Sequence, residues 1–295
     1  MSAFVLSCGS TADLSHERFS GRDIHYICFH YQLDGVDHAD DLGQTMTMNE
    51  FYAAMAGGAD TSTSQPNIGD YLEYFTPFLE AGQDILHVEL STGLSGAFNS
   101  ARNAAAVAAE RYPDRKIYVV DSLAASSGFG LLMEILADLR DEGKSIDEVR
   151  DFVEENKRRV HHWFFTTDLT FFIKGGRVTK VSGWFGTLLN ICPLLNMDNE
   201  GRLRPRYKLR GKQAVIRAIV EKMEQYADNG KEYNGRCYLS HSACEEDARQ
   251  VMAMVEDTFP HLKGKTELYD IGTTIGSHTG PGTVALFFLG EPRTE

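Results

Sequence analysis

Residues 84–111 carry three textures in a row: D-I-L-H-V-E-L, then S-T-G-L-S-G, then an alanine-rich run that ends in E-R just ahead of Pro113. The first stretch alternates and is rich in aliphatic side chains, which predicts a strand. The last is built from the strongest helix former and stops at a proline, which predicts a helix. A strand that passes through a short glycine-bearing turn into a helix is the building block of an α/β sheet, and this constrains the chain more than any other feature. Gly93 and Gly96 allow the backbone to turn tightly and a ligand to approach it. Ser91, Thr92 and Ser95 add neutral hydrogen-bond donors beside the free N–H groups of a helix start, a combination suited to an anionic oxygen. The same residues equally suit a helix N-cap worth about 1 kcal/mol. The stretch alone leaves both readings open.

The rest of the chain repeats the pattern. Strands are expected at 4–7, 24–31 and 116–121, an acidic turn at 34–41, and helices at 47–56 and 68–81. The hydroxyl run Thr61-Ser62-Thr63-Ser64 reads as a second polar loop, one that would meet the first at the carboxyl ends of neighbouring strands. Ser145 with Glu148 forms a capping-box signature for a helix running to about 159. Strand–helix alternation implies a largely parallel sheet with helical cover. After residue 160 the texture changes: strands at 161–167, 188–196, 236–240, 265–271 and 283–289 alternate with helices at 212–228 and 244–259. A short helix and glycine turn are expected at 171–180, and a loop of small residues at 272–282. These readings divide the chain into an N-terminal α/β domain, 1–160, and a C-terminal α/β domain, 161–295.

Composition narrows the function classes. A net charge of −13 over 295 residues argues against nucleic-acid binding and against adhesion to anionic membranes. Five scattered cysteines without a C-x-x-C pair fit reduced thiols, not a disulfide frame or a metal site. The opening M-S-A-F-V-L-S-C-G-S lacks the charge and apolar length of a signal peptide, no apolar run approaches the ~20 residues of a membrane span, and a cytoplasmic location is expected. Gly143-Lys144-Ser145 and Gly264-Lys265-Thr266 lack the upstream glycine of a P-loop, and Gly128-Phe129-Gly130 lacks the third glycine of a dinucleotide turn.

Three candidates for chemistry remain. His278 stands among Gly276, Ser277, Thr279, Gly280 and Gly282, where it could donate to an anion, act as a base, or hydrogen-bond its own loop. With Ser95 and Asp121 it offers the residue types of a hydrolytic triad, although Gly93-Leu94-Ser95-Gly96 departs from the G-x-S-x-G elbow. Arg177, after Gly175-Gly176, is a second cation for the site or a surface residue. Arg202, Arg204, Arg206, Lys208, Arg210 and Lys212 occupy every second position, so on a regular strand they would share one face. Such a row is either a solvated edge strand or a docking face for an acidic partner.

Thr63-Ser64-Gln65-Pro66, Ser91-Thr92-Gly93-Leu94-Ser95-Gly96, Gly175-Gly176-Arg177 and His278-Thr279-Gly280-Pro281-Gly282 follow one another in this order. In them the chain resembles the DegV family of bacterial fatty-acid-binding proteins, from Ser10-Thr11-Ala12-Asp13 to the final strand. The resemblance implies a two-domain α/β fold, an N-terminal largely parallel sheet and a C-terminal α/β sandwich, with one long-chain fatty acid between the domains. It implies that Thr63, Ser64 and Ser95 meet the carboxylate, with His278, Arg177 and Gly96 close by. It further implies a carrier with no catalysis, cofactor or metal of its own, which presents the acid to the catalytic subunit of a fatty acid kinase for acyl-phosphate formation and phospholipid synthesis. Arg202, Arg204 and Arg206 would then dock the kinase. Alternatives are a lipid sensor or store, and a serine hydrolase using Ser95. At one position the chain departs from the family: Gly9 stands where the first turn usually has aspartate. The aromatic residues of 163–185 are placed to reshape the acyl tunnel.

Overall fold

The computed structural model describes residues 4–178 and 190–294. In chain order it forms β1 (Val5–Gly9), α1 (His16–Gly21), β2 (Ile24–Ile27), β3 (His30–Leu33), β4 (Val36–Ala39), α2 (Met48–Ala56), β5 (Thr61–Ser64), α3 (Ile68–Glu80), β6 (Ile85–Glu89), α4 (Ala97–Arg111), β7 (Ile117–Asp121), α5 (Ser126–Asp141) and α6 (Ile146–Asn156). There follow β8 (Val160–Thr166), α7 (Thr170–Lys174), β9 (Ile191–Met197), β10 (Leu203–Arg210), α8 (Lys212–Tyr226), β11 (Cys237–His241), α9 (Glu245–Thr258), β12 (Glu267–Asp270), α10 (Thr273–Thr279) and β13 (Thr283–Leu289).

Three sheets result. The first is fully parallel in the order β2-β1-β6-β7, as the strand–helix alternation requires. The second runs β10-β9-β8-β13-β11-β12 and is antiparallel except for the β11–β12 pair. The third is a small antiparallel sheet, β4-β3-β5. Helix α5 joins the two large sheets. Its Leu131, Leu132 and Leu136 share one core with Leu86 and Val88 of β6, Phe164 of β8 and Phe287 of β13. Glycine is required on this helix by close approach. A Cβ at Gly130 would lie 2.5 Å from the Ala12 carbonyl oxygen, and one at Gly128 would lie 2.5 Å from the His162 ring. The Gly128-Phe129-Gly130 sequence is therefore a packing feature. Helices α8 and α9 cover the opposite face of the second sheet, where Ile216, Ile219 and Val251 meet Phe165, Leu194 and Leu286.

Several expectations need correction. Residues 24–31 are two strands in different sheets, β2 and β3. The supposed acidic turn is a hairpin: Asp34 and Gly35, at φ 51° and 81°, reverse the chain between β3 and β4. Thr61–Ser64 is strand β5, paired with β3, so its hydroxyls are held on a sheet and not on a loop. His278 lies in the last turn of helix α10 and not in a loop. The basic row does not share a face. A bulge between Pro205 and Tyr207 shifts the register by one, so Arg204 opposite Asn196 sides with Tyr207 and Leu209, while Lys208 and Arg210 turn the other way. The expected ends at 179–180 and 188–189, and the aromatics of 179–185, lie outside the described residues.

Candidate functional site

One strand, one polar turn and one helix converge. Strand β5 presents Thr63 and Ser64, the turn after β6 presents Ser95, and α10 presents His278. Gln65, just after β5, ties that strand to the Ser95 turn and to α4: Ser95 Oγ donates to Gln65 Oε1 at 2.9 Å, and Gln65 Nε2 donates to Ser100 Oγ at 3.2 Å. Ser95 Oγ also accepts the Ala97 N–H at 3.2 Å, but the N-cap of α4 is Gly96 and no side chain caps it, so the serine N-cap expected for this turn is not formed. Gly96 is glycine for a local reason, since a Cβ there would press within 3.1 Å of the Gln65 amide.

His278 Nε2 and Thr63 Oγ1 are 2.8 Å apart, and Arg177 Nη1 lies 3.5 Å from His278 Nδ1. A guanidinium can only donate, which assigns the ring proton to Nε2 and makes Thr63 Oγ1 its acceptor. The Thr63 hydroxyl proton is then left to point at a ligand. Gly175 allows this approach, because a Cβ there would overlap the imidazole. Arg177 is fixed by donating from Nε to the Leu94 carbonyl at 3.2 Å and from Nη1 to the Gly175 carbonyl at 2.6 Å.

Burial, helped by the Arg177 charge, pushes the His278 pKa down to about 4. The ring is therefore neutral at pH 7. A depressed pKa means that the unfolded chain binds the proton more tightly, so stability is fully present above the unfolded value of about 6.5 and is lost as pH falls toward 4. Replacing His278 with Gln should remove up to about 3 kcal/mol of pH-dependent destabilisation between those limits. Urea unfolding of both proteins at pH 7 and pH 4.5 reads this directly, and parallel curves would show that the ring is not buried as a neutral group.

Behind the polar end lies a cavity of about 340 Å³ whose walls include Phe29, Leu90, Phe164, Phe172, Met197 and Phe287. It sits at the carboxyl ends of the parallel strands and against the inner face of the second sheet, the position where open α/β sheets take ligands. Sequence reasoning missed Gln65, Ser126, Thr274 and Phe29 as lining residues. Ser126 was signalled only by its place in the serine pair that opens α5. Phe29 gave no signal at all. A smaller polar cleft of about 170 Å³ adjoins the polar end of the cavity and is lined by Arg177, Arg202 and Arg204. Arg202 pairs with Glu200, Arg204 Nε pairs with Asp198 at 2.7 Å, and Arg206 Nε turns to Asn196 Oδ1 at 2.7 Å.

The triad geometry is not met. Ser95 donates to Gln65, and Asp121 accepts the Thr92 hydroxyl at 2.5 Å and the Leu123 N–H at 2.9 Å. Gly9 leaves a space that is already filled: a Cβ there would lie 2.8 Å from Glu89 Oε1 and 2.8 Å from the Phe29 ring. An acid thus reaches the first turn from β6. It accepts from Tyr71 at 2.5 Å and from the Leu90 N–H at 2.6 Å, with His87 Nε2 at 3.0 Å. The five cysteines are all unpaired, and among the described residues no helix is long and apolar enough to cross a membrane.

Comparison with known proteins gives consistent matches along the chain. The DegV family, described as uncharacterised, matches residues 6–291. A DegV domain-containing protein of Clostridium perfringens is 35% identical over 294 residues, covering 99% of each chain. The structure of a DegV family protein from Thermus thermophilus, described for its fatty acid binding, aligns with a TM-score of 0.85 at 27% identity over 98% of this chain and 100% of that one. The Fak B3 protein of Streptococcus pneumoniae, a fatty acid kinase protein loaded with linoleic acid, shares the fold with a TM-score of 0.83 at 23% identity, over 98% and 100% of the two chains.

Proposed function

The chain belongs to the DegV family, and we propose that it binds one long-chain fatty acid and presents the carboxylate to a separate fatty acid kinase. The observation that carries the first half is the apolar cavity that ends in Thr63, Ser64, Ser95 and His278. Neutral donors suit a carboxylate, whereas a phosphate at the same place would call for more direct Arg or Lys contacts. The acyl chain lies along the phenylalanine walls. Thr63 donates to the head group, Ser95 does so by turning its one hydroxyl proton from Gln65 Oε1 to the carboxylate, and Arg177 guards its exit. The protein acts as a carrier: no step of catalysis is assigned to it, and the hydrogen bonds of Ser95 and Asp121 weigh against hydrolysis.

The kinase half follows from the resemblance and has support in the polar cleft beside the head group. Arg177, Arg202 and Arg204 line it, and a partner carrying phosphate or carboxylate groups would meet Arg177 there and compete with Glu200 and Asp198 for the other two guanidiniums. Arg206, on the bulge and bonded to Asn196, is the third docking candidate of that strand.

Two measurements test the reading. Mass spectrometry of the denatured protein after incubation with a fatty-acid mixture should release one acid per chain, and recovery of none would remove the cavity as a lipid site. Ser95→Ala should weaken fatty-acid binding only five- to tenfold, about 1–1.5 kcal/mol, because the chain supplies most of the affinity. Acyl-phosphate formation by the kinase should fall much further, since the carboxylate loses its orientation. A Ser95→Ala protein that supports full acyl-phosphate formation would sink the presentation role.

A further inference from the structure

Ser95 cannot meet a carboxylate without disturbing Gln65. Its single proton goes to Gln65 Oε1 at 2.9 Å, while its oxygen accepts the Ala97 N–H at 3.2 Å. Once that proton turns to a ligand, two oxygen acceptors face each other at 2.9 Å with no proton between them. Gln65 is exposed, so water reaches its outer side, but a contact of hydrogen-bond length leaves no room for water in between.

The amide can relieve this contact without moving away. A glutamine side chain carries an acceptor at one end of a nearly symmetric plane and two donors at the other. The second end already meets a hydroxyl, since Gln65 Nε2 lies 3.2 Å from Ser100 Oγ. Half a turn of the amide exchanges Oε1 and Nε2. Nε2 then donates to the free lone pair of Ser95 Oγ, and Oε1 accepts the Ser100 hydroxyl, which rotates to suit. Packing permits the exchange: a Cβ on Gly96 would lie 3.1 Å from Oε1 and 3.2 Å from Nε2, so the amide lies evenly over the glycine and either atom fits either place. Swinging the side chain into solvent would also end the contact, but it would give up both hydrogen bonds and the tie between β5 and α4.

We infer that Ser100, Gln65 and Ser95 form a hydrogen-bond chain whose direction the ligand sets; the inference rests on the fatty-acid reading of the cavity. In the arrangement described above, the donors run from Ser95 through Gln65 to Ser100. With a carboxylate bound they run from Ser100 through Gln65 to Ser95 and on to the anion. Each bond polarises the next, so the reversed chain makes Ser95 a stronger donor toward negative charge. A primary alcohol needs no reversal, because its own hydroxyl donates to Ser95 Oγ and the chain stays as it is. Gln65 and Ser100 are thus positioning residues that favour acids over alcohols. Ser100 does this from one turn into α4, and among the described residues it is not part of the cavity wall.

The test compares a sixteen-carbon acid with the matching primary alcohol on delipidated full-length protein. Ser100→Ala should lower the preference for the acid about fivefold and leave alcohol binding unchanged. Alanine is the strongest helix former, so the variant keeps α4. Ser100→Thr retains the hydroxyl and should restore the preference. In the wild type, nuclear Overhauser contacts from the Gln65 amide protons should pass from the β-protons of Ser100 to those of Ser95 when the acid binds, and stay on Ser100 with the alcohol. An unchanged preference in Ser100→Ala would overturn the chain. So would amide contacts that remain on Ser100 with acid bound, that already rest on Ser95 without it, or that vanish from both serines. All of these leave the fatty-acid reading standing, whereas wild-type protein that takes up neither ligand would overturn that reading and the chain with it.

Discussion

Shortening the bound acid from sixteen carbons to twelve should weaken binding about 200-fold. Each methylene moved from water into an apolar wall contributes about 0.8 kcal/mol, so four of them contribute about 3 kcal/mol. The walls are suited to this: Phe29, Phe164, Phe172 and Phe287 face the cavity, with Leu90 and Met197 between them. On the proposed reading the head group would not compensate, because hydrogen bonds to Thr63 and Ser95 would replace bonds to water and be worth only about 1–3 kcal/mol together. Competition binding with saturated acids of twelve, fourteen and sixteen carbons gives the slope, about fourfold per methylene. A flat series would mean that the chain lies outside the cavity, and a slope that stops at a given length would mark the cavity's closed end.

The parts of the fold and of this site that were legible in the sequence are those made by neighbours in the chain. Ser145 and Glu148 close a capping box as their spacing demands, and Thr283–Leu289 is the strand its apolar run predicts. The Ser95 turn reads correctly because strand, glycines and helix follow one another without interruption. What failed was decided by distant partners. Nothing in Ile27-Cys28-Phe29 breaks the apolar pattern of 24–31, yet β2 pairs with β1 and β3 with β5, and Phe29 between them turns into the cavity. The Asp34-Gly35 pair was a hairpin signal in plain view, because both residues accept positive φ, but the surrounding acids made it look like a solvated turn. Helix α10 is only seven residues long and rich in small side chains, so its local propensity is weak and contacts with α7, β5 and α2 hold it. The bulge at Arg206 could not be read at all. Alternation along one strand says nothing of an extra residue opposite its partner, and that residue sends the row of cations to two faces. The Glu89 carboxylate beside Gly9 is the same case, a side chain from one strand occupying the room left by another.

Gly280→Ala should destabilise the protein by about 4 kcal/mol, although it adds a single methyl group. Two separable effects act there. The residue sits at φ 69°, ψ 174°, a region essentially reserved for glycine, which costs about 1–3 kcal/mol for any other residue. A Cβ would also overlap the ring of Phe171 on α7, and overpacking of this kind costs about 1–3 kcal/mol. The backbone has little freedom to move away, since the Gly280 N–H donates to the Gly276 carbonyl at 2.8 Å and its own carbonyl accepts the Ser242 hydroxyl at 2.6 Å. Gly143, at φ 86° with open space around its Cβ position, is the control, and alanine there should cost only about 1 kcal/mol. On a Phe171→Ala background the overlap disappears, and Gly280→Ala should then cost about 2 kcal/mol for backbone conformation alone. Urea unfolding of the four proteins of that cycle separates the two effects, and an unchanged cost on the Phe171→Ala background would show that the ring is not what the glycine accommodates. The consequence for function follows from position. Gly280 ends the helix two residues after His278, and Gly175 leaves room for that imidazole from the α7 side. Both glycines let α7 and α10 pack close enough to bring Arg177 and Thr63 to the same ring, so a substitution that pushes the helices apart loosens the head-group site before it unfolds the chain.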